Sequence, residues 1–308
     1  MSEYTILENK FIGSDNLVLF QKPAFFNMHS KIGATYFELC HKGQSKACVH
    51  FTPINETGTW RSPARGTFAG LGFKEDLKFK ELFSFFEGVE AALRSKGAKV
   101  LEILIAPQAH DSAAFSQQVY MLRSLGFETT RCDLNQSIDI DTRNLSDRMS
   151  YGNLKRLRKC ERDNIVAKHL PLSDLSKVYE TLSINRASKG NSMSMTLPQL
   201  QTMADTFPND IILFGSLHLG RLAAAAVCLR ISSSVLYVFY WGDRPEYSSH
   251  SPVVSVADAI YRHGQEMGFK IMDVGTSTID IDVNFGLLEF KRGLGFTETL
   301  KLTMRKML

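Results

Sequence analysis

Two hydrophobic periodicities alternate along this chain, and their order occurs twice. In the first half, "KELFSFFEGVEAALRSKGAKVLEILIA" has the spacing of an amphipathic helix that ends at Gly97, followed by an apolar strand at about 99–105. A second helix is predicted at about 112–125, and the period-two pattern of "LGFETTRCDLNQSIDI" predicts a strand after it. In the second half, "SVADAIYRHGQEMGFKIMDVGTS" and "NFGLLEFKRGLGFTETLKLTM" each predict a helix, a glycine stop and a strand.

The two halves also align in register. "KGAKVLEIL" (96–104) aligns with "MGFKIMDVG" (267–275) at an offset of 171, and "LRSLGFETT" (122–130) aligns with "KRGLGFTET" (291–299) at an offset of 169. Two matching blocks in the same order indicate a duplicated α/β unit. Upstream of the helices, the sequence predicts a hairpin turning at Lys42-Gly43 and a three-stranded meander with turns near Leu219-Gly220 and Ser232–Ser234.

We therefore expect an α/β protein of the α+β type, with helices on mixed sheets. The predicted domains are two tandem repeats, 1–145 and 146–308. The boundary lies near 140–155, where the sequence changes from a strand pattern to a charged helix pattern.

Composition narrows the class of protein without naming a function. Of the residues, 44% are hydrophobic and 22% charged, which is typical of a soluble globular protein. The most apolar stretch, 221–241, contains Arg221 and Arg230, so we expect no membrane span, and the N-terminus lacks the pattern of a signal peptide. Five scattered cysteines favour reduced thiols and a cytoplasmic location. A net charge of +4 permits an anionic ligand, and we expect no DNA partner.

A serine-rich loop, "GDRPEYSSHSP", connects a predicted strand to a predicted helix that starts near Pro252. Backbone N–H groups at a helix N-terminus favour phosphate or pyrophosphate, and nearby hydroxyls can add donors. The candidate cofactor-binding residues are Ser248, Ser249 and Ser251. The alternative is an ordinary helix start with Ser251 as N-cap and Pro252 as first residue. His250 lies in the same loop, but a single histidine without an orienting carboxylate nearby is weak evidence for a catalytic base.

Two further segments carry candidate substrate-binding residues. In "RSPARGTFAGLGF" (61–73), Arg61 and Arg65 flank a Ser-Pro turn and suit bidentate recognition of a phosphate or carboxylate, or else are solvated charges of a surface loop. "INRASKGNSMSM" (184–195) is a polar segment between two apolar helical stretches. It is either a substrate loop that supplies Asn185, Arg186 and Lys189 or a plain exposed loop.

A basic stripe runs along the helix predicted in "NLKRLRKCERDN" (153–164). Lys155, Arg158, Lys159 and Arg162 have helical spacing, which suits either docking of RNA or pyrophosphate or a solvated face. The eight histidines are dispersed and show no metal-binding spacing, so no metal is expected. There is also no P-loop, no G-x-S-x-G elbow and no G-x-G-x-x-G after a strand.

The duplicated order of strands, helix, strand, helix and strand resembles the acyl-CoA N-acyltransferase (GNAT) superfamily. It is more narrowly similar to the Fem family of peptidoglycan aminoacyl transferases, which are two GNAT-like domains in tandem. Three segments carry the likeness: "MSYGNLKRLRKCERDN", "YRHGQEMGFKIMDVGTS" and "GLLEFKRGLGF". The last resembles the family's terminal Gly-x-x-x-Phe-Lys-x-Gly-Phe-Gly motif.

This resemblance implies that Phe290 and Lys291 handle the acyl donor during transfer. The first repeat has Met121 and Leu122 at the aligned positions, so folding of the repeat does not require the lysine. The alternative is that Lys291 is an ordinary solvated cation at a helix C-terminus. The family's Gly-Phe-Gly is replaced by Gly-Leu-Gly-Phe, and no long helical-hairpin insertion is evident. Both departures weaken the case for an aminoacyl-tRNA donor and leave a CoA thioester open.

The implied chemistry is direct attack of an amine on an acyl thioester or ester, with an oxyanion stabilised by N–H groups or a cation. Candidate proton acceptors are Asp243 and Asp273, with Tyr240 as a proton relay. Asp273 can equally cap its strand and Tyr240 can belong to the core.

We therefore expect an acyltransferase that uses acetyl-CoA or another acyl-CoA. Its acceptor would be a small-molecule, cell-envelope-precursor or sugar-nucleotide amine. The alternatives are a Fem-type enzyme with a tRNA donor and a non-catalytic GNAT pair that serves as a binding module.

Overall fold

The chain folds into two units in the computed structural model, which describes residues 4–13, 17–279 and 281–308. Unit 1 contains the described residues up to Leu134 together with Thr299–Leu308, and unit 2 contains Asn135–Glu298. The predicted ranges, 1–145 and 146–308, are ranges of the repeat and stay a prediction. In the structure the last ten residues, Thr299–Leu308, pack with unit 1, because the final strand of the chain pairs with the strand Val100–Leu104 of that unit.

The elements follow the predicted order. The helices are α1 (Pro23–His29), α2 (Phe79–Ser95), α3 (Ser112–Ser124), α4 (Tyr151–Arg162), α5 (Leu175–Ser188), α6 (Leu197–Thr206), α7 (Val253–Glu266) and α8 (Phe285–Arg292). The strands are β1 (Tyr4–Glu8), β2 (Thr35–His41), β3 (Gln44–Pro53), β4 (Thr59–Ser62), β5 (Gly72–Phe73), β6 (Val100–Leu104), β7 (Glu128–Asp139), β8 (Val166–Leu170), β9 (Ile211–His218), β10 (Arg221–Arg230), β11 (Val235–Asp243), β12 (Ile271–Thr276), β13 (Thr278–Ile279), β14 (Asp282–Val283) and β15 (Thr297–Met307).

Unit 1 has a mixed sheet with the order β1-β2-β3-β4-β6-β15, in which β4 and β6 are parallel. The hairpin of β2 and β3 turns at Lys42 and Gly43 as predicted. Both residues have positive φ, the conformation that a two-residue turn matching the strand twist requires. Helix α2 covers the sheet with a buried stripe at helical spacing, formed by Leu82, Phe85, Phe86, Val89 and Leu93.

Unit 2 repeats this arrangement with the order β7-β12-β11-β10-β9-β8, in which β11 and β12 are parallel. The predicted meander is confirmed as β9, β10 and β11. Helix α7 packs on β8 to β12, and its buried positions Val254, Ala257 and Ile260 meet Phe214 and Leu236 of the sheet in one core. The mixed α/β fold class is confirmed in both units. No helix among the described residues has the length and hydrophobicity needed to cross a membrane.

Phe86 offers a test of the unit 1 core. Its side chain is fully buried and packs edge-on against Phe127, whereas Phe79, about two turns earlier at the start of the same helix, is 36% exposed. Because Phe86→Ala leaves a cavity, we expect a loss of about 3–5 kcal/mol in the free energy of unfolding. Phe79→Ala is the matched control and should lose much less. Urea denaturation of both variants checks this, and equal losses would contradict the packing described.

Candidate functional site

The parallel strands β11 and β12 separate part of the way along unit 2. They pair at Val235–Ile271, Leu236–Met272 and Tyr237–Asp273, and no register joins them beyond that point in the described part of the chain. Strand β11 nevertheless continues to Asp243 and β12 to Thr276. The facing edges of the two strands therefore carry backbone N–H and C=O groups that no strand neighbour pairs.

A bulge on each strand coincides with this separation. The register between β10 and β11 shifts so that Phe239 is the extra residue, and the register between β7 and β12 shifts between Asp273 and Thr276. Bulges bend a strand and increase its twist, which turns the two strands away from each other. Gly275 lies in the second bulge with φ of +71°, a conformation that favours glycine.

A cavity of about 740 Å³ opens between the separated strands. One wall is β11 from Tyr237 to Trp241, and the other is β12 with the β13–β14 hairpin and the start of α8. Three of the lining residues have side chains that can bind a charged group or transfer a proton: Lys291, Tyr240 and Arg186. The sequence predicted all three, and the structure brings them to one cavity.

Lys291 is buried, with only 1% of its surface exposed. Its Nζ donates hydrogen bonds to the carbonyl oxygens of Gly275 at 2.9 Å and Thr276 at 3.0 Å. Helix α8 directs it inward, because Lys291 follows the buried Leu288 by three residues and the Asn284 side chain caps the helix at Leu287 N. The alternative of a solvated cation at the end of a helix is wrong.

Burial lowers the pKa of Lys291 from its ordinary value of 10.5 to about 8, and the charge of Asp273 opposes this shift. Asp273 is itself fully buried inside β12. Its Oδ1 accepts hydrogen bonds from Gly275 N at 2.6 Å and Asn135 Nδ2 at 3.0 Å. Asp273 thus lies behind the cavity wall, where it fixes the bulge that presents the two carbonyls to Lys291. Asp273 lies inside β12 and not at its end, so the alternative that it caps the end of its strand does not hold.

Tyr240 is buried, and burial raises the pKa of its phenol, so it remains protonated at neutral pH. Its hydroxyl forms a hydrogen bond with the Ser194 hydroxyl, and the Arg186 guanidinium lies over its ring, 5.8 Å from the centroid. Arg186 was predicted in a loop, but α5 extends to Ser188, so Asn185 and Arg186 lie in its last turn. The loop that follows α5 contributes Asn191 to the cavity lining.

Asn185, Lys189 and Asp243 form a polar cluster at the end of β11. Asn185 Nδ2 donates to the Asp243 backbone oxygen at 2.6 Å and to its Oδ1 at 3.0 Å, while Lys189 Nζ donates to Asn185 Oδ1 at 3.3 Å. Gly242 permits this close approach, since a Cβ there would lie 2.5 Å from Asn185 Oδ1. The contacts of these residues are with one another, which indicates that the cluster fastens α5 to β11.

The three candidate serines lie between β11 and α7. Ser248 and Ser249 are exposed in a 3-10 turn (Pro245–His250), and Ser251 is half-buried with φ of +52°. Helix α7 begins at Val253 after Pro252, so Ser251 is not the N-cap that the alternative interpretation assumed. The hydroxyls of Ser248 and Ser249 face solvent beside a helix N-terminus.

Arg61 and Arg65 belong to unit 1. Arg61 lies in β4, and its Nε forms an ion pair with Glu102 Oε1 at 3.0 Å, whereas Arg65 is exposed. Glu102 aligns with Asp273 in the repeat, and the β4–β6 pairing continues to Ser62–Ile103. The equivalent strand pair in unit 1 therefore stays joined at the position where β11 and β12 separate, and the side chains of the register partners Arg61 and Glu102 form an ion pair.

Phe290 is half-buried and packs on the core of unit 2, with its ring 6.1 Å from that of Trp241. Sequence reasoning missed Trp241, Tyr237 and Ser194 as part of this site, as well as the carbonyls of Gly275 and Thr276. The strand pattern of "VLYVFYWGD" was visible, but nothing in it marks a bulge. In the described residues, no group of three or more His, Cys, Asp or Glu side chains is arranged to hold a metal ion.

Several solved structures are similar to this chain in architecture. A crystal structure of FemX matches 96% of this chain and 94% of its own with a TM-score of 0.75 at 12% identity. L-PGS from Bacillus licheniformis matches with a TM-score of 0.57 at 13% identity, covering 84% of this chain and 80% of its own. A tandem GNAT protein from the clavulanic acid biosynthesis pathway matches with a TM-score of 0.53 at 10% identity, covering 89% and 83%.

These likenesses establish the fold. The chain has a tandem GNAT-like fold that resembles the Fem transferases, as the sequence motifs predicted. No protein-family model and no curated protein sequence matches the chain.

The buried lysine makes stability depend on pH in a predictable direction. Because the pKa of Lys291 is about 8 in the folded protein and 10.5 in an exposed chain, the unfolded state holds more protons between these values. The contribution of Lys291 to the free energy of unfolding should therefore rise by on the order of 3 kcal/mol between pH 8 and 10.5.

Urea denaturation of the intact chain and of Lys291→Met across that range isolates this contribution as the difference between the two. Lys270→Met, which removes an exposed lysine, is the control and should show no such slope. A difference that stays constant with pH would contradict the burial of the Lys291 ammonium group.

Proposed function

We propose that the cavity between β11 and β12 transfers an acyl group from an activated donor to an amine. The observation that carries this proposal is the buried, carbonyl-bound ammonium group of Lys291 at an opening between two separated parallel strands. A positive charge held in a water-poor site is suited to stabilise the oxyanion that forms when an amine attacks a thioester or ester.

We favour a CoA thioester as donor. Its pantetheine arm carries amide groups, and the unpaired strand edge from Val238 to Trp241 offers backbone partners for them, as strand edges do for extended peptides. The exposed hydroxyls of Ser248 and Ser249, with Ser251 nearby at the start of α7, are our candidates for the phosphate end. In the described part of unit 1 the equivalent strands β4 and β6 stay paired, so we assign the donor to unit 2. Arg61 and Arg65 stay candidates for substrate binding by unit 1.

Within the cavity we assign distinct roles to its residues. The Lys291 ammonium stabilises the oxyanion as the amine attacks and the carbon–sulfur bond breaks. Tyr240, kept protonated by burial, gives its proton to the leaving sulfur and regains one from the attacking nitrogen. Asp273 and Phe290 act by positioning Lys291 and its helix, while Asn185, Lys189 and Asp243 hold the wall that carries Arg186.

The acceptor is expected to be an amine of a small molecule, a cell-envelope precursor or a sugar nucleotide, modified in the cytoplasm. One observation favours a second candidate, an aminoacyl-tRNA donor. The exposed face of α4 carries Lys155, Arg156, Arg158 and Arg162, which suits a phosphate backbone. The third alternative, a non-catalytic binding module, gives the buried ammonium group of Lys291 no chemical role.

The donor is tested by thermal unfolding with acetyl-CoA, CoA and aminoacyl-tRNA separately. A ligand that binds only the folded protein raises the melting temperature, in proportion to its binding free energy. We expect acetyl-CoA and CoA to raise it. A shift with aminoacyl-tRNA alone would favour the second candidate, and no shift with any of the three would favour the binding module.

Catalysis is tested at Lys291. We expect Lys291→Met to lower turnover with the donor that binds at least about tenfold, a loss of about 1.4 kcal/mol in transition-state stabilisation. In the intact chain, turnover should fall as the pH rises through about 8, because Lys291 then loses its charge. Lys270→Met should match the intact chain in both assays, and unchanged turnover in Lys291→Met would remove Lys291 from the mechanism.

A further inference from the structure

A second set of reactive side chains lies in unit 2, in the turn between β11 and α7. Ser249 Oγ is 3.2 Å from His250 Nδ1, and His250 Nε2 is 3.2 Å from Asp163 Oδ2. The sequence showed no carboxylate near His250, because Asp163 comes from the end of α4, far away along the chain. The structure supplies the missing carboxylate and corrects that interpretation of His250.

The last turn of α4 holds the Ser249-His250 dipeptide at three points. Lys159 Nζ donates to the Ser249 carbonyl at 2.9 Å, Cys160 Sγ donates to the His250 carbonyl at 3.3 Å, and Asp163 contacts the imidazole. Both backbone carbonyls and the ring are thus fixed by one helix. Ser249 is an exposed residue, so a reagent from solvent can reach it.

This order of contacts also sets the tautomer of the histidine. The Asp163 carboxylate accepts a hydrogen bond from Nε2–H, which leaves Nδ1 unprotonated in the neutral ring. Nδ1 is then the acceptor for the Ser249 hydroxyl. Nucleophile, base and orienting carboxylate in hydrogen-bond contact form the constellation that activates serine on several unrelated folds.

We propose that Ser249, His250 and Asp163 form a nucleophilic site that reacts with small activated carboxylic esters, separately from the cavity at Lys291. Ser249 Oγ attacks the ester carbonyl carbon while its proton moves to His250 Nδ1. The bond from that carbon to the leaving oxygen breaks, and the leaving alcohol takes the proton, so that an acyl group remains on Ser249. Water then attacks the acyl carbon, Ser249 regains a proton through His250, and a carboxylic acid is released.

The positive charge of Lys159 lies against the same turn, and the ring of His218 stacks near His250 with a centroid distance of 6.4 Å. A cation beside the turn favours the negative charge that develops on the ester oxygen during attack. Asp163 does not touch the substrate in this scheme. It is a positioning residue that acts through the orientation and tautomer of His250.

The test is labelling of the full chain with a fluorophosphonate probe, in which Ser249 Oγ bonds to phosphorus and fluoride leaves. We expect a single adduct on Ser249 by peptide mass mapping, absent in Ser249→Ala, and a labelling rate lowered roughly 100-fold in His250→Gln. Ser30→Ala is the matched control, since Ser30 is exposed beside His29 but donates its hydroxyl to Asn27 O, and it should label as the intact chain does.

Asp163 is tested by the same rate and by hydrolysis of p-nitrophenyl acetate. Asp163→Asn should slow both reactions, and Asp163→Glu, which keeps a carboxylate, should retain more of each rate. No adduct on Ser249, or equal labelling rates in His250→Gln and the intact chain, would overturn the proposal. Labelling and ester hydrolysis are both measured without acyl-CoA, so they are read separately from turnover at Lys291.

Discussion

The site in unit 2 depends on one requirement, that the buried ammonium group of Lys291 has hydrogen-bond acceptors. An unpaired charge in a protein interior is too costly to keep, so partners must be built into the surrounding backbone. The bulge in β12 supplies them, because the carbonyls of Gly275 and Thr276 lie where the register with β7 shifts, and both accept hydrogen bonds from Lys291 Nζ. The same bulge helps to part β12 from β11, so the acceptors and the cavity have a common origin in the backbone.

The duplication shows what this requirement adds to the fold. At the position of Lys291, unit 1 has Leu122, which is fully buried in its core, and its parallel strands stay paired past the point of separation in unit 2. Glu102, the counterpart of Asp273, pairs with Arg61 across the strands. The same repeated fold therefore has two different arrangements at this position. In unit 1 the paired strands and the apolar helix pack without burying a lysine. In unit 2 the separated strands and Lys291 form a polar cavity.

Much of the fold could be predicted from the sequence, because helix and strand periodicities are local. The same order of elements could also be read in both halves of the chain. The burial of Lys291 had a local signal too, since it follows Leu288 by three residues and the buried Leu294 follows it by three, just beyond the end of α8. The bulges, the left-handed Ser251 and the Asp163–His250 contact had none. They arise from strand register and helix placement, which join residues far apart in sequence. For the same reason Asn185 and Arg186 were predicted in a loop, although tertiary contacts with β11 extend the helix through them.

Backbone hydrogen exchange with acetyl-CoA tests most directly whether the opening between β11 and β12 is the donor site. A pantetheine arm bound along the free edge of β11 would slow exchange of the amides from Val238 to Trp241, and of those near Gly275, by ordering a segment that is open without ligand. We expect protection concentrated in these two segments. Protection concentrated instead around Arg61 in unit 1, with the unit 2 segments unchanged, would contradict it.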